Sequence, residues 1–448
     1  MTIKLPKDFF FGAAMSGPQT EGAWNVGGRL RSYWDMYSDQ EINAFFNNVG
    51  SYVGNDMYHK YEEDIKLLKS LNFKSFRTSM QWTRLLDQDG KLNPEGAAWY
   101  HKLIDCANEN GIDIFMNMYH FDMPEYLVKR GGWQNREVVE AYANFVKIAM
   151  EEFGDKVKYW FTFNEPIVEP EQQFLHGVWY PYQKDFKQSI NVQYNITLAH
   201  CLAVANFRKL KAEGKLCEGA KIGMINCFAP PYTKENPTPE DLEAVRMTDG
   251  LHNRWWLDVV AHGHLPPGDE AILAQGKVDW LGFNYYQPTR VQAPDSKFDE
   301  NGLPCISKPY IWPERKMNVY RGWEIYPKGI YDFGMKIKKE CPDLPFFISE
   351  NGMGVEGEEK YMDENGTVQD DYRIEFVRDH LEWIAKAIED GANCLGYHYW
   401  GVIDNWSWCN AFKNRYGFVR VCLDDGYKRK EKKSASWIRE VARTNEFE

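Results

Sequence analysis

The chain of 448 residues lacks any apolar stretch that approaches the ~20 residues needed to cross a bilayer. It is short of positive charge. Lys and Arg number 53 against 65 Asp and Glu, for a net charge of -12 and a pI of about 5.5. Such a balance argues against a nucleic-acid partner, which needs a basic face, while leaving room for a small local anion site. The nine Cys are odd in number and include no Cys-x-x-Cys pair, so metal ligation is not expected and most should be reduced core residues. Residues 1–7 lead through Asp8 into a short apolar run, 9–15, without the length and cleavage pattern of a secretory signal. A cytoplasmic location with no membrane partner is the expectation. No internal repeat and no linker break the chain, which reads as one domain over 1–448.

Aromatic residues are plentiful, at 15% with 17 Trp. They suit a large core, and equally a cleft in which indole faces stack on pyranose rings. Short apolar runs recur at 9–16, 75–80, 112–119, 157–164, 220–227, 280–285, 346–349 and 394–399. Between them lie stretches with helical spacing, at 58–71, 136–153, 188–213, 239–261, 328–339, 372–390 and 432–443, and another opened by the cap and early proline of Asn93-Pro94-Glu95. Eight strand–helix alternations predict an α/β fold, a single (β/α)₈ TIM barrel. The segment 287–321, rich in Pro, Lys and Asp, is expected as a long loop over the active-site face.

Active sites in such barrels lie at the C-terminal ends of the strands. Polar residues gather at those ends here: Gln19 and Glu21, Arg77, His120 and Asp122, Asn164 and Glu165, Asn284 and Tyr286, Glu350, and finally His398, Trp400 and Asp404. Two carboxylates are the most informative. Glu165 follows Tyr159-Trp160-Phe161-Thr162-Phe163, and Glu350 follows Pro345-Phe346-Phe347-Ile348. A charge where a buried strand surfaces is costly unless it has a partner or a task. Two such acids in one site are the minimum equipment for cleaving a glycosidic bond.

The residues carry a resemblance from end to end. Phe9-Phe10-Phe11-Gly12-Ala13-Ala14, Gln19-Thr20-Glu21-Gly22-Ala23, Tyr61-Glu62-Glu63-Asp64-Ile65, Phe76-Arg77-Thr78-Ser79, His120-Phe121-Asp122-Met123-Pro124 and Gly131-Gly132-Trp133 appear in order. Thr162-Phe163-Asn164-Glu165-Pro166, Asn284-Tyr285-Tyr286, Ile348-Ser349-Glu350-Asn351-Gly352 and Gly401-Val402-Ile403-Asp404-Asn405 complete the series. The chain resembles the family 1 glycoside hydrolases, which include β-glucosidases and 6-phospho-β-glycosidases. The resemblance implies a retaining mechanism with Glu350 as nucleophile and Glu165 as acid, then base, the two carboxyls ~5–5.5 Å apart. It implies that Arg77, Tyr286 and Asn284 support the nucleophile, and that Gln19, His120, Asn164, Trp400 and Trp408 bind the glycone. Glu165 is expected to be the protonated partner, since neighbouring carboxylates resist joint ionisation. No cofactor and no metal are implied, because covalent and acid–base catalysis need none.

The stretch 404–418 bears on the substrate. In relatives that act on plain glucosides, the Ser407 position is a Glu that grips the 4- and 6-hydroxyls. A hydroxyl can donate to a 6-phosphate that a carboxylate would repel. Tyr416 likewise matches the phospho-specific branch. The branch's phosphate-binding Lys falls at Asn414 here, with Lys413 one residue earlier. The phosphate set expected from sequence is therefore Ser407, Lys413, Asn414 and Tyr416, and the expected substrate is a small β-glycoside carrying a 6-phosphate, gluco rather than galacto. A plain β-glucosidase and a 6-phospho-β-galactosidase stay open as alternatives. Nothing in the sequence specifies an oligomeric state.

Overall fold

A computed structural model describes residues 2–263 and 269–448. Eight parallel strands close into a barrel: β1 (Phe10–Ala14), β2 (Ser75–Ser79), β3 (Asp113–Asn117), β4 (Tyr159–Asn164), β5 (Lys221–Cys227), β6 (Trp280–Asn284), β7 (Phe346–Glu350) and β8 (Cys394–Trp400). Closure is made by β8 on β1, with Gly396 opposite Phe10 and Trp400 opposite Ala14. The strands read as near-continuous apolar runs because helices cover their outer faces while side chains fill the interior.

One long helix follows each strand: α1 (Met57–Ser70), α2 (Pro94–Glu109), α3 (Arg136–Phe153), α4 (Phe186–Ala212), α5 (Pro239–Asp249), α6 (Lys328–Glu340), α7 (Asp371–Glu389) and α8 (Lys433–Thr444). Their starts are written locally. Asn93 accepts from the Glu95 amide ahead of Pro94, Asn135 accepts from the Glu137 amide, and Thr238 forms a capping box with Asp241. Among the described residues no helix is long and apolar enough to cross a membrane.

An aromatic plug of Phe115, Phe161, Trp280 and Phe347 fills the barrel interior. His398 belongs to this layer. It packs on Phe10, Phe115 and Phe347, and its Nε2 lies 2.7 Å from the Ser75 hydroxyl. The plug gives the site above it a rigid base.

Two expectations are corrected. The stretch 239–261 is not one regular helix. After α5 the chain widens into π-helical turns at Gly250–Arg254 and Asp258–His262. The first of these carries His252 to the edge of the active-site cavity, a common use of such turns. Nor is 287–321 a plain loop. Thr289–Gln292 pairs with both Lys308–Pro309 and Pro231–Tyr232, and Lys316–Asn318 forms a hairpin with Trp323–Ile325.

Candidate active site

The C-terminal ends of the strands surround a cavity of about 410 Å³. Gln19, His120, Asn164, Glu165, Asn284, Tyr286, Glu350, Trp400, Ser407, Trp408 and Tyr416 line it.

Strand irregularities aim the acids. Residues on a regular strand alternate between faces, so neighbours such as Asn164 and Glu165 would point apart. The β4–β5 register shifts between Phe161 and Asn164, and Glu165 adopts a left-handed φ of 45°. Both side chains thereby reach the cavity. A second shift, between Ile348 and Glu350, sets Glu350 opposite Asn284. Bulges at barrel rims commonly redirect side chains in this way.

Glu350 is held from two sides. Its Oε1 pairs with the Arg77 guanidinium, and its Oε2 accepts from the Tyr286 hydroxyl at 2.6 Å. Arg77 is fully buried behind it, outside the cavity wall, and its other arm donates to Asn164 Oδ1 at 2.5 Å. A buried cation with no carboxylate would be expensive, and Glu350 is the carboxylate that Arg77 faces.

Glu165 has the opposite environment. Burial, then repulsion from Glu350, raises its carboxyl to about 8. It is therefore a proton carrier near neutral pH. Asn284, expected as support for the nucleophile, makes its side-chain contacts with Ser349, Glu165 and Asn164 rather than with the Glu350 carboxylate. The Ser349 hydroxyl donates to Asn284 Oδ1 at 2.6 Å, which turns its Nδ2 to donate to Glu165 Oε1 at 2.9 Å and Asn164 Oδ1 at 3.1 Å.

His120 stacks between Trp400 and Trp408, with centroid distances of 5.7 and 5.8 Å. Burial, with the Arg77 charge nearby, holds its pKa well below the usual value, so the ring is neutral. Asn164 Nδ2 lies 3.2 Å from His120 Nε2. The imidazole proton then falls on Nδ1, which is buried and has no partner among the described residues. Gln19 is oriented by Ser16 and the Trp406 carbonyl.

Other polar groups at the strand ends have structural tasks. Glu21 binds Arg84, Gln81 and the Tyr100 hydroxyl. Asp122 accepts from the amides of Trp82 and His120. Asp404 pairs with Lys432 and accepts from the Gly417 amide.

The expected phosphate set divides. Ser407 and Tyr416 share the cavity wall. The Tyr416 ring is seated by Gly354, where a Cβ would come within 2.6 Å of it. Lys413 does not reach the cavity. Its ammonium lies 3.7 Å from Glu356 and over the Phe46 ring. Asn414 is buried behind the wall, with Nδ2 donating to the Tyr320 carbonyl at 3.4 Å. Asn414–Arg415 pairs antiparallel with Val355–Glu356, with Glu356 opposite Asn414, and Lys413 lies just before that two-residue strand.

Sequence reasoning missed several wall residues. His252, half-buried, faces the acid's side of the cavity. Its Nδ1 lies 3.0 Å from Glu171, and this pair raises its pKa although burial opposes protonation. Trp179, Trp323 and Arg321 come from the long β4–α4 and β6–α6 connections. Aromatic enrichment was the only signal for the tryptophans.

A buried acid–anion pair at the mouth of a (β/α)₈ barrel, under a floor of indole and imidazole, defines a glycoside hydrolase. The sequence profile of Glycosyl hydrolase family 1 matches residues 1–447, and the chain belongs to that family, whose glycosidases are retaining. It is 43% identical to the 6-phospho-β-glucosidase GmuD of Bacillus subtilis (strain 168), over 99% of this chain and 98% of that protein. It is 33% identical to a 6-phospho-β-galactosidase of Staphylococcus aureus (strain JH9), with complete coverage of both. The solved family 1 β-glucosidase of Thermotoga maritima superposes with a TM-score of 0.88 at 30% identity, covering 100% of this chain and 99% of that one.

Proposed function

We propose that this enzyme hydrolyses 6-phospho-β-D-glucosides with retention, through a glycosyl ester on Glu350. In the first step Glu350 attacks the anomeric carbon as the bond to the aglycone oxygen breaks, and Glu165 delivers its proton to that oxygen. Forming the ester removes the negative charge from Glu350. The repulsion that holds the Glu165 proton then weakens, so Glu165 can take a proton from the incoming water. Water attacks the anomeric carbon, Glu350 leaves as carboxylate, and the acid is restored. Asn164 and His120 would bind glycone hydroxyls, with Trp400 as the floor of the subsite.

The observation that carries the phospho reading is Ser407 beside Tyr416 in the cavity wall. Two hydroxyls stand where a carboxylate would repel a phosphate. The 43% identity to a 6-phospho-β-glucosidase supports the same substrate class. A cytoplasmic location suits a substrate phosphorylated on entry into the cell.

The reading is tested with a 2-deoxy-2-fluoro-β-glucoside 6-phosphate bearing a good leaving group, beside its unphosphorylated twin. Intact mass followed by peptide mapping should find the phosphorylated sugar on Glu350. Labelling by the plain sugar alone would assign a β-glucosidase, and a label elsewhere would remove Glu350 as nucleophile.

A further inference from the structure

Arg321 is the residue whose chemistry the reaction leaves unused. It lies in the turn of the hairpin joining Lys316–Asn318 to Trp323–Ile325, and its side chain forms part of the same cavity wall as Ser407 and Tyr416. Its guanidinium lies over the Trp323 indole, 4.3 Å from the ring centre. Its Nε is buried and has no hydrogen-bond partner among the described residues, and the guanidinium makes no ion pair there. Neighbouring arginines are engaged: Arg77 with Glu350, Arg290 with Glu324, Arg373 with Glu358 and Asp370, Arg415 with Asp404. A guanidinium that offers donors to a cavity and has no carboxylate of its own is suited to an anion brought by the ligand.

The segment that carries it is anchored from the position where a lysine was expected. Asn414 Nδ2 donates to the carbonyl of Tyr320, the residue before Arg321. Asn318 Nδ2 donates to the Gly354 carbonyl at 3.1 Å, next to the seat of the Tyr416 ring. The Arg321 charge acts on the Tyr416 phenol, opposing the rise that burial imposes on it.

We propose that Arg321 supplies the cation that binds the substrate's 6-phosphate, together with the hydroxyls of Ser407 and Tyr416, and that Asn414 positions the hairpin that carries it. The role rests on the 6-phosphoglucoside reading above. The cation has moved from the connection after β8 to the connection after β6, and the buried asparagine became the strut of the new arrangement.

The test compares kcat/KM for p-nitrophenyl β-glucoside 6-phosphate and for the plain glucoside, in wild type and in Arg321→Gln, Arg321→Lys and Asn414→Ala. Arg321→Gln should lower the phosphorylated-to-plain ratio about 100-fold, mainly through KM of the phosphorylated substrate, as loss of binding common to ground and transition states requires. Arg321→Lys should recover part of the ratio, since a point charge replaces a fork. Asn414→Ala should lower it by roughly 3- to 10-fold through a misplaced hairpin. Inhibition of plain-glucoside turnover by glucose 6-phosphate should weaken in the same order. An Arg321→Gln enzyme that keeps the wild-type ratio overturns the role of Arg321 while leaving the substrate class intact. Equal losses on both substrates do the same, and mark the arginine as a prop for Trp323. A wild-type enzyme that does not prefer the phosphorylated substrate removes the substrate reading, and the role with it.

Discussion

The floor of the cavity and its rim are built differently. On the floor, Glu350, Arg77, Asn164, Asn284, Tyr286 and Ser349 form one connected hydrogen-bonded set. All but Tyr286 lie on β2, β4, β6 and β7, and Tyr286 follows β6 by two residues. On the rim, Ser407, Tyr416, Arg321 and Trp323 stand on connections after β6 and β8, and Arg321 Nε has no hydrogen-bond partner among the described residues. The floor holds charges whose geometry must not move during the reaction. The rim holds the groups to which the proposal gives the substrate's phosphate. Chemistry common to a family belongs on strands, and selectivity on loops that can change without disturbing it.

Substitutions on the floor should have the largest effects. Glu350→Gln should lower kcat by about 10⁴-fold or more on every substrate, because no ester can form. Azide should rescue Glu350→Gly and give the inverted glycosyl azide, and a retained product would contradict the assignment. Glu165→Gln should cost about 10²- to 10⁴-fold on substrates with poor leaving groups and far less on activated aryl glycosides. Equal losses on both would remove Glu165 as the acid.

The rim should give smaller, selective effects. Ser407→Glu sets a carboxylate against the phosphate and should lower kcat/KM for the phosphorylated substrate by roughly 100-fold relative to the plain one, as like-charge juxtaposition costs several kcal/mol. An unchanged ratio would break the distinction between floor and rim.

The smallest effect sharpens the comparison within the floor. Glu165 must be protonated to act as acid, so kcat/KM should fall as pH rises through about 8. Asn284 donates to Glu165 and so favours its charged form. Asn284→Ala should therefore move the basic limb to higher pH, with about a 10-fold loss of rate from the disturbed network. A limb that moves to lower pH would contradict the orientation of that amide.

Most of the floor was legible in the sequence because its polar residues stand at the ends of apolar runs. Seven of the eight apolar runs carry polar residues at or near their ends, and the structure sets Gln19, His120, Asn164, Glu165, Asn284, Tyr286 and Glu350 among them around one cavity. Which carboxylate Asn284 contacts was not legible, because it depends on the Ser349 hydroxyl, a contact across strands that no local pattern records. The rim was legible only in part. Lys413 sits one residue from Asn414, just before a two-residue strand too short to show a period, and its ammonium lies by Glu356 rather than in the cavity. Arg321 lay at the end of a segment read only as a long loop over the active-site face, with no residue in it singled out. The hairpin that brings it to the wall is made of three-residue strands, too short for any periodicity, and is held by side chains of Asn318 and Asn414 on backbone carbonyls. The helix expected over 239–261 failed similarly, since π turns follow from packing rather than from spacing.

The most direct test is kcat/KM for p-nitrophenyl β-glucoside and its 6-phosphate, measured side by side with the galacto pair. A large preference for the 6-phosphoglucoside is the predicted result, and it would establish the substrate class on which the roles of the rim groups rest. Turnover of the unphosphorylated glucoside alone would contradict it, leaving a β-glucosidase whose glycone pocket lacks the usual carboxylate.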